Sequence, residues 1–166
     1  MSKQIPTLPG AKQIGRQGPG SYTDHTEVRI VASNAKGQII LIPIKAGEYY
    51  TLPGGSIQSN ESHHLAGTRE TEEQTGCKVD VRGPVIAHAE EWREDEGLHQ
   101  ISYCYVGKLV AETGATTRLE HEWMDVEEAI RKMKECRPTS AEGSYVCERD
   151  LYFVEAYAME LKGASE

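Results

Sequence analysis

From Thr26 onward, apolar and polar positions alternate along the chain. Val28, Ile30 and Ala32 share one side of a two-residue period, which predicts a strand with one buried face. Asn34 to Gly37 reads as a turn, and Gln38 to Ile44 as a more fully buried strand. A short third strand over Glu48–Leu52 ends at Pro53-Gly54-Gly55. The polar stretch Asn60–Thr75 predicts a helix closed by Gly76, where a left-handed residue ends many helices. Strands follow at Lys78–Arg82, Pro84–Trp92 and Leu98–Val110, the last two joined by the acidic turn Arg93–Gly97, and one more is expected at Arg118–Met124. Val126, Ala129, Ile130 and Met133 recur at helical spacing, as do Leu151, Val154, Tyr157, Ala158 and Leu161. Residues 1–22, rich in Gly and Pro, predict a loose arm ahead of a single domain over 23–166. The pattern predicts a mixed α/β fold with a sheet and at least three helices.

Composition narrows the function. The length of 166 residues suits one domain, and 38% apolar with 27% charged residues is ordinary for a globular chain. The longest apolar run, Ile39 to Ile42, stops at Pro43, far short of the ~20 residues of a membrane span. No apolar leader is evident at the N-terminus, and Cys77, Cys104, Cys136 and Cys147 form no Cys-x-x-Cys pair, so free thiols in the cytoplasm are expected. The six histidines show no zinc-protease spacing, which disfavours zinc. A net charge of −8 without a Lys/Arg cluster argues against nucleic acid and anionic membranes as partners.

The helix over 60–75 lacks the apolar stripe of a core helix. Glu70, Glu73 and Gln74 are related by i, i+3 and i+4, so they share one face directly after a Leu-Pro-Gly-Gly turn. Neighbouring carboxylates oppose helix formation unless a cation lies between them, and side-chain oxygens beside turn carbonyls suit Mg²⁺. Gly55, Glu61, Arg69-Glu70, Glu73 and Gly76 stand at the spacing G-x5-E-x7-R-E-U-x-E-E-x-G-U. The segment from Gly55 to Cys77 therefore resembles the Nudix box, with Thr71 and Cys77 as packing variants at its aliphatic positions.

The resemblance implies the Nudix fold, an α/β/α sandwich with a mixed β-sheet, and Mg²⁺-dependent (or Mn²⁺-dependent) cleavage of a diphosphate linkage in a small phosphorylated metabolite. By position it implies cation ligands at Gly54 (through its carbonyl), Glu70, Glu73 and Gln74, with Glu70 also handling the proton of the attacking water. Glu61 and Arg69 match a pair that holds the loop onto the helix, with Gly55 and Gly76 supporting the box. Glu120 is the candidate for an additional carboxylate, as ligand or base, and Glu122 reads as structural.

Gln74 departs from the pattern, which has a second consecutive glutamate there. Glutamine keeps the shape and one carbonyl oxygen but brings no charge, a substantial deficit about 4 Å from a divalent ion. Three readings follow: a natural enzyme with a compensating carboxylate such as Glu120, a Nudix fold that binds without turning over, or an engineered Glu→Gln change. Substrate choice lies outside the box. Glu94–Glu96 fit a solvated hairpin tip, and Tyr22, Tyr49 and Tyr50 are candidates for stacking a base. A nucleoside diphosphate derivative is favoured. A diphosphoinositol polyphosphate is the alternative, and would require Lys12, Arg16, Arg29, Lys45, Arg93, Lys132, Lys134 and Arg137 to converge in the fold. An RNA cap is disfavoured by the absence of a basic stretch. The oligomeric expectation is a monomer or a homodimer.

Overall fold

The computed structural model describes residues 9–113 and 119–165. Eight strands and three helices follow one another as β1 (Lys12–Gly15), β2 (Thr23–Ser33), β3 (Gln38–Ile44), β4 (Tyr49–Thr51), β5 (Gly54–Ser56), α1 (His63–Thr75), β6 (Cys77–Arg93), β7 (Leu98–Glu112), β8 (Glu122–Asp125), α2 (Val126–Glu135) and α3 (Ala141–Ser165). The sheet runs β1-β6-β7-β2-β3-β4, with β5 against β2 and β8 against β3. It is mixed: β1 lies parallel to β6 and β2 parallel to β7, whereas β6–β7 and β2–β3 are antiparallel.

Alternation sorts the strands onto two cores. Ile30, Ala32, Ile40, Ile42, Val79 and Val81 form one, and α1 packs onto it so closely that a Cβ on Gly67 would strike Ile30 Cδ1. On the opposite face Val31, Ile39, Leu41, Ala89 and Cys104 meet Ala129 and Met133 of α2 and Phe153, Val154 and Tyr157 of α3. Helices on both faces of one sheet make the α/β/α sandwich expected from the box.

Several sequence expectations change. The first 22 residues do not form a loose arm throughout, because Lys12–Gly15 adds an edge strand with Ile14 buried; residues 1–8 lie outside the described residues. The two strands at Lys78–Arg82 and Pro84–Trp92 are a single strand, with the register shifted between Arg82 and Ala87 so that Gly83-Pro84 is carried as an irregularity. Gly54 and Gly55 belong to β5 as well as to the turn. The last expected strand is β8, at Glu122–Asp125, and Arg118 lies outside the described residues. The largest change concerns β2: both of its faces are covered, so Glu27 is buried with Val28. Among the described residues no helix is long and apolar enough to cross a membrane.

Candidate active site

Helix α1 starts where Ser62, in extended conformation, accepts the Leu65 N–H on Oγ at 3.1 Å. It stops at Gly76, whose φ of 72° lets its N–H reach the Glu72 carbonyl at 2.8 Å. These caps fix the phase of the helix, so Glu70 and Gln74 face the Gly54-Gly55 strand. A Cβ on Gly55 would lie 2.8 Å from the Glu70 carboxylate, and one on Gly54 would run into the Val28 carbonyl. Both glycines are therefore required by close approach.

Arg69 gathers the carboxylates. Its Nε and Nη2 donate to the two oxygens of Glu61 at 2.7 and 2.9 Å, a bidentate pair, and Nη2 also reaches the Ser56 carbonyl at 3.0 Å. Nη1 donates to Glu70 Oε1 at 2.9 Å and to Glu73 Oε2 at 3.3 Å. Hydrogen bonds from Arg69, then from the Gln58 N–H, hold the Glu61 carboxyl down at about 2. The guanidinium is the cation that the like-charged helix face calls for.

Gln74 closes the other side. Its Nε2 donates to the Gly54 carbonyl at 2.7 Å and to Glu70 Oε2 at 3.1 Å, and its Oε1 accepts the Gly54 N–H at 3.1 Å. Glu70, with 16% of its side chain exposed, thus has an N–H donor on each oxygen, whereas Glu73 is 60% exposed. Among the described residues no three His, Cys, Asp or Glu side chains are grouped to hold a metal ion. The donor chemistry nevertheless fits a hard divalent cation: Gly54 O, Glu70 and Gln74 Oε1 are oxygens within one hydrogen-bonded knot, with Glu73 one turn behind.

The turn carrying Gly54 is braced by residues that sequence reasoning missed. Asp150 Oδ2, on α3, accepts from Thr51 Oγ1 at 2.8 Å and from the Leu52 N–H at 2.9 Å, while Arg29 Nη1 donates to the Leu52 carbonyl at 3.0 Å. Behind them Arg149 joins Glu27, Glu91 and Asp150, and Arg93 joins Glu91. Asp150 lies 98 residues from Leu52 in the chain, so no local spacing could have announced the contact.

The remaining candidates are not gathered at the box. Glu120 is exposed and makes no hydrogen bond or ion pair among the described residues, although its neighbour His121 lies 4.0 Å from Cys77 at the end of α1. Glu122 pairs β8 with β3 opposite Leu41. Glu94–Glu96 form an exposed single-turn tip. Tyr22 packs edge-on against Trp92 and Tyr49 is core, while Tyr50 borders a cavity of about 330 Å³ with Lys132 and Arg137. Apart from Lys132 and Arg137 at that cavity, basic candidates are drawn off to separate carboxylates: Lys12 pairs with Glu148, Arg29 with Glu27, Arg93 with Glu91, and Lys134 with Glu155.

The NUDIX domain profile matches residues 23–142. Among solved structures, the MutT protein of Methanosarcina mazei Go1 superposes with a TM-score of 0.63 at 22% identity, covering 87% of this chain and 99% of that one. The ORF135 protein of E. coli gives 0.60 at 24% identity over 89% and 97% of the two chains. A UDP-X diphosphatase gives 0.59 at 16% identity over 86% and 66%. No curated protein matches.

Proposed function

The chain belongs to the Nudix family, hydrolases of pyrophosphate bonds, and we propose that it cleaves the diphosphate of a nucleoside diphosphate derivative with Mg²⁺, or Mn²⁺ in its place. The observation that carries the reading is the knot at which Gly54 O, Glu70 and Gln74 meet, locked to the preceding loop by Glu61 and Arg69.

Gly54 O, Glu70, Glu73 and Gln74 Oε1 would hold the cation. When bound there, the ion supplies charge neutralisation to the diphosphate and polarises a water. Glu70, beside that position, accepts the proton of the water as its oxygen attacks phosphorus. The bridging P–O bond breaks, and its electrons leave with the second phosphate. Arg69 keeps Glu70 in line, while Gly54 and Gly55 leave room for the carboxylate and the turn carbonyl. Glu120, exposed and without a hydrogen bond to the box among the described residues, takes no part in this step. Charge favours a nucleoside diphosphate derivative over a diphosphoinositol polyphosphate. Arg29 and Arg93 are engaged by buried carboxylates, and a dense polyanion would need free cations.

The test is phosphate release from nucleotides, nucleotide sugars and inositol pyrophosphates, with Mg²⁺ and with chelator. Cleavage should be selective for one nucleoside diphosphate derivative and stop in chelator. Glu73→Ala should abolish it, and Gln74→Glu should raise it about 10²-fold. An unchanged rate in Glu73→Ala would discredit the ligand assignment. A second reading, a fold that binds its ligand without efficient turnover, is favoured by the amide hydrogen bonds of Gln74 to two of the cation's ligands. It wins if one compound binds and neither chain cleaves it.

A further inference from the structure

We propose that Gln74 is a clip that holds the cation site shut, its side-chain amide joining by hydrogen bonds the two oxygen ligands that a cation would otherwise join. This rests on the reading of Gly54 O and Glu70 as cation ligands.

A primary amide has two N–H donors and one acceptor oxygen. In Gln74 both donors are used, one on the Gly54 carbonyl and one on Glu70 Oε2, and the oxygen accepts the Gly54 N–H. The orientation is fixed by these partners. Exchanging Nε2 and Oε1 would set N–H against N–H on one side and oxygen against two oxygens on the other. The amide nitrogen therefore lies between the carbonyl and the carboxylate that would serve as cation ligands. Arg69 Nη1 holds the other oxygen of Glu70, so both oxygens of that carboxylate carry donors before any ion arrives.

Glutamate at this position could do none of this. It has no donor for the Gly54 carbonyl, and it would place a second carboxylate four residues after Glu70 on the same face. Such a site is repulsive until a cation enters, so the ion would be part of its stability. With glutamine the site is complete without the ion. For Oε1 to become a ligand, the terminal torsion must turn and all three hydrogen bonds must break. The substitution thus trades cation affinity for a closed, self-sufficient turn–helix junction, and entry of the cation becomes a conformational step at one side chain.

The experiment compares the thermal unfolding of the full chain, Gln74→Glu and Gln74→Met, each in chelator and in saturating Mg²⁺, with Mn²⁺ affinity read from water proton relaxation. In chelator the glutamine chain should melt highest, with both variants lower by about 4 °C. Mg²⁺ should raise the glutamate chain well above its melting point in chelator and raise the glutamine and methionine chains less, in the order of their affinities. Mn²⁺ should bind the glutamate variant about tenfold or more tightly than the parent, following ligand charge. If the methionine variant melts with the parent in chelator, the clip holds nothing and the proposal falls. It falls equally if the parent gains as much from Mg²⁺ as Gln74→Glu does. If Mn²⁺ binds none of the three chains, the assignment of Gly54 and Glu70 as ligands is itself wrong, and the proposal goes with it.

Discussion

One guanidinium does at the residue scale what several side chains do elsewhere. Arg69 reaches Glu61 with two parallel bonds, the Ser56 carbonyl, Glu70 and Glu73, a spread that requires a planar fork of fixed donors. Lysine carries the same charge on one point and cannot span Glu61 and Glu70 together. Arg69→Lys should therefore leave the fold in place but free Glu70 to wander by about 1 Å, enough to lower kcat about 10²-fold. The check is kcat measured beside the melting temperature: a large fall in kcat with a small fall in stability is expected. If both fall together, Arg69 is a prop of the fold and not a positioning residue. The Glu61 half of the pair persists in mild acid. Its carboxyl is held at about 2, so what it contributes is complete above its ordinary 4.5 and is lost only as pH drops from 4.5 toward 2.

At the scale of elements, α1 depends on its ends more than on its sides. Ala66, Gly67, Thr71 and Thr75 are its buried residues, a narrow apolar face, while Leu65 is 62% exposed. Ser62→Ala removes the Oγ acceptor for the Leu65 N–H and should destabilise the chain by about 1 kcal/mol. Chemical denaturation at neutral pH reads this directly, and an unchanged midpoint would show that water satisfies the first turn equally well. This helix was legible in the sequence because close approach and charge leave marks at fixed spacing: the paired glycines, Glu61 to Arg69, and the run to Gly76. Other elements left no such mark. Strand β1 buries one apolar side chain, Ile14, and a single position has no period to detect. Gly83-Pro84 reads as a break because proline cannot donate to a ladder, yet a register shift lets β6 run on. In β2 the alternation of apolar and polar residues is real, but both phases are covered. Glu27 and Arg29 face away from Val28 and Ile30, and the expectation of solvent on that side fails because α3, folded back from the far end of the chain, covers it. What a distant element will cover is not written in local periodicity.

That covered face sets the stability of the whole molecule. Between sheet and α3 lie three carboxylates, Glu27, Glu91 and Asp150, and three guanidiniums, Arg29, Arg93 and Arg149, joined into one network. Arg149 is its hub: with 1% of its side chain exposed, it donates to Glu27 and Glu91 at 3.0 Å each and to Asp150 at 2.7 Å. An intact buried network adds little net stability, because desolvation offsets attraction, but removing one partner strands the others. Arg149→Met keeps the bulk and removes the charge, leaving three buried carboxylates to two cations, and should cost about 3–5 kcal/mol, a large share of a domain's 5–15 kcal/mol. The pH dependence follows from the same arrangement. Burial alone would raise the Glu27 carboxyl, but Arg29 and Arg149 outweigh it and bring it to about 2. The contribution of Glu27 is therefore full above 4.5 and disappears as pH falls from 4.5 toward 2. Without Arg149 the burial effect loses one of its two cationic opponents, the carboxyl rises, and acid weakens the variant from a higher pH. Urea unfolding at a series of pH values separates the two effects: the Arg149→Met curve should lie below the parent at neutral pH and begin its acid decline earlier. Glu27→Gln, with nothing there to titrate, should decline less steeply than the parent over the same range. Parallel curves for all three would mean that the acid response arises elsewhere and that Glu27 is a bystander in its network.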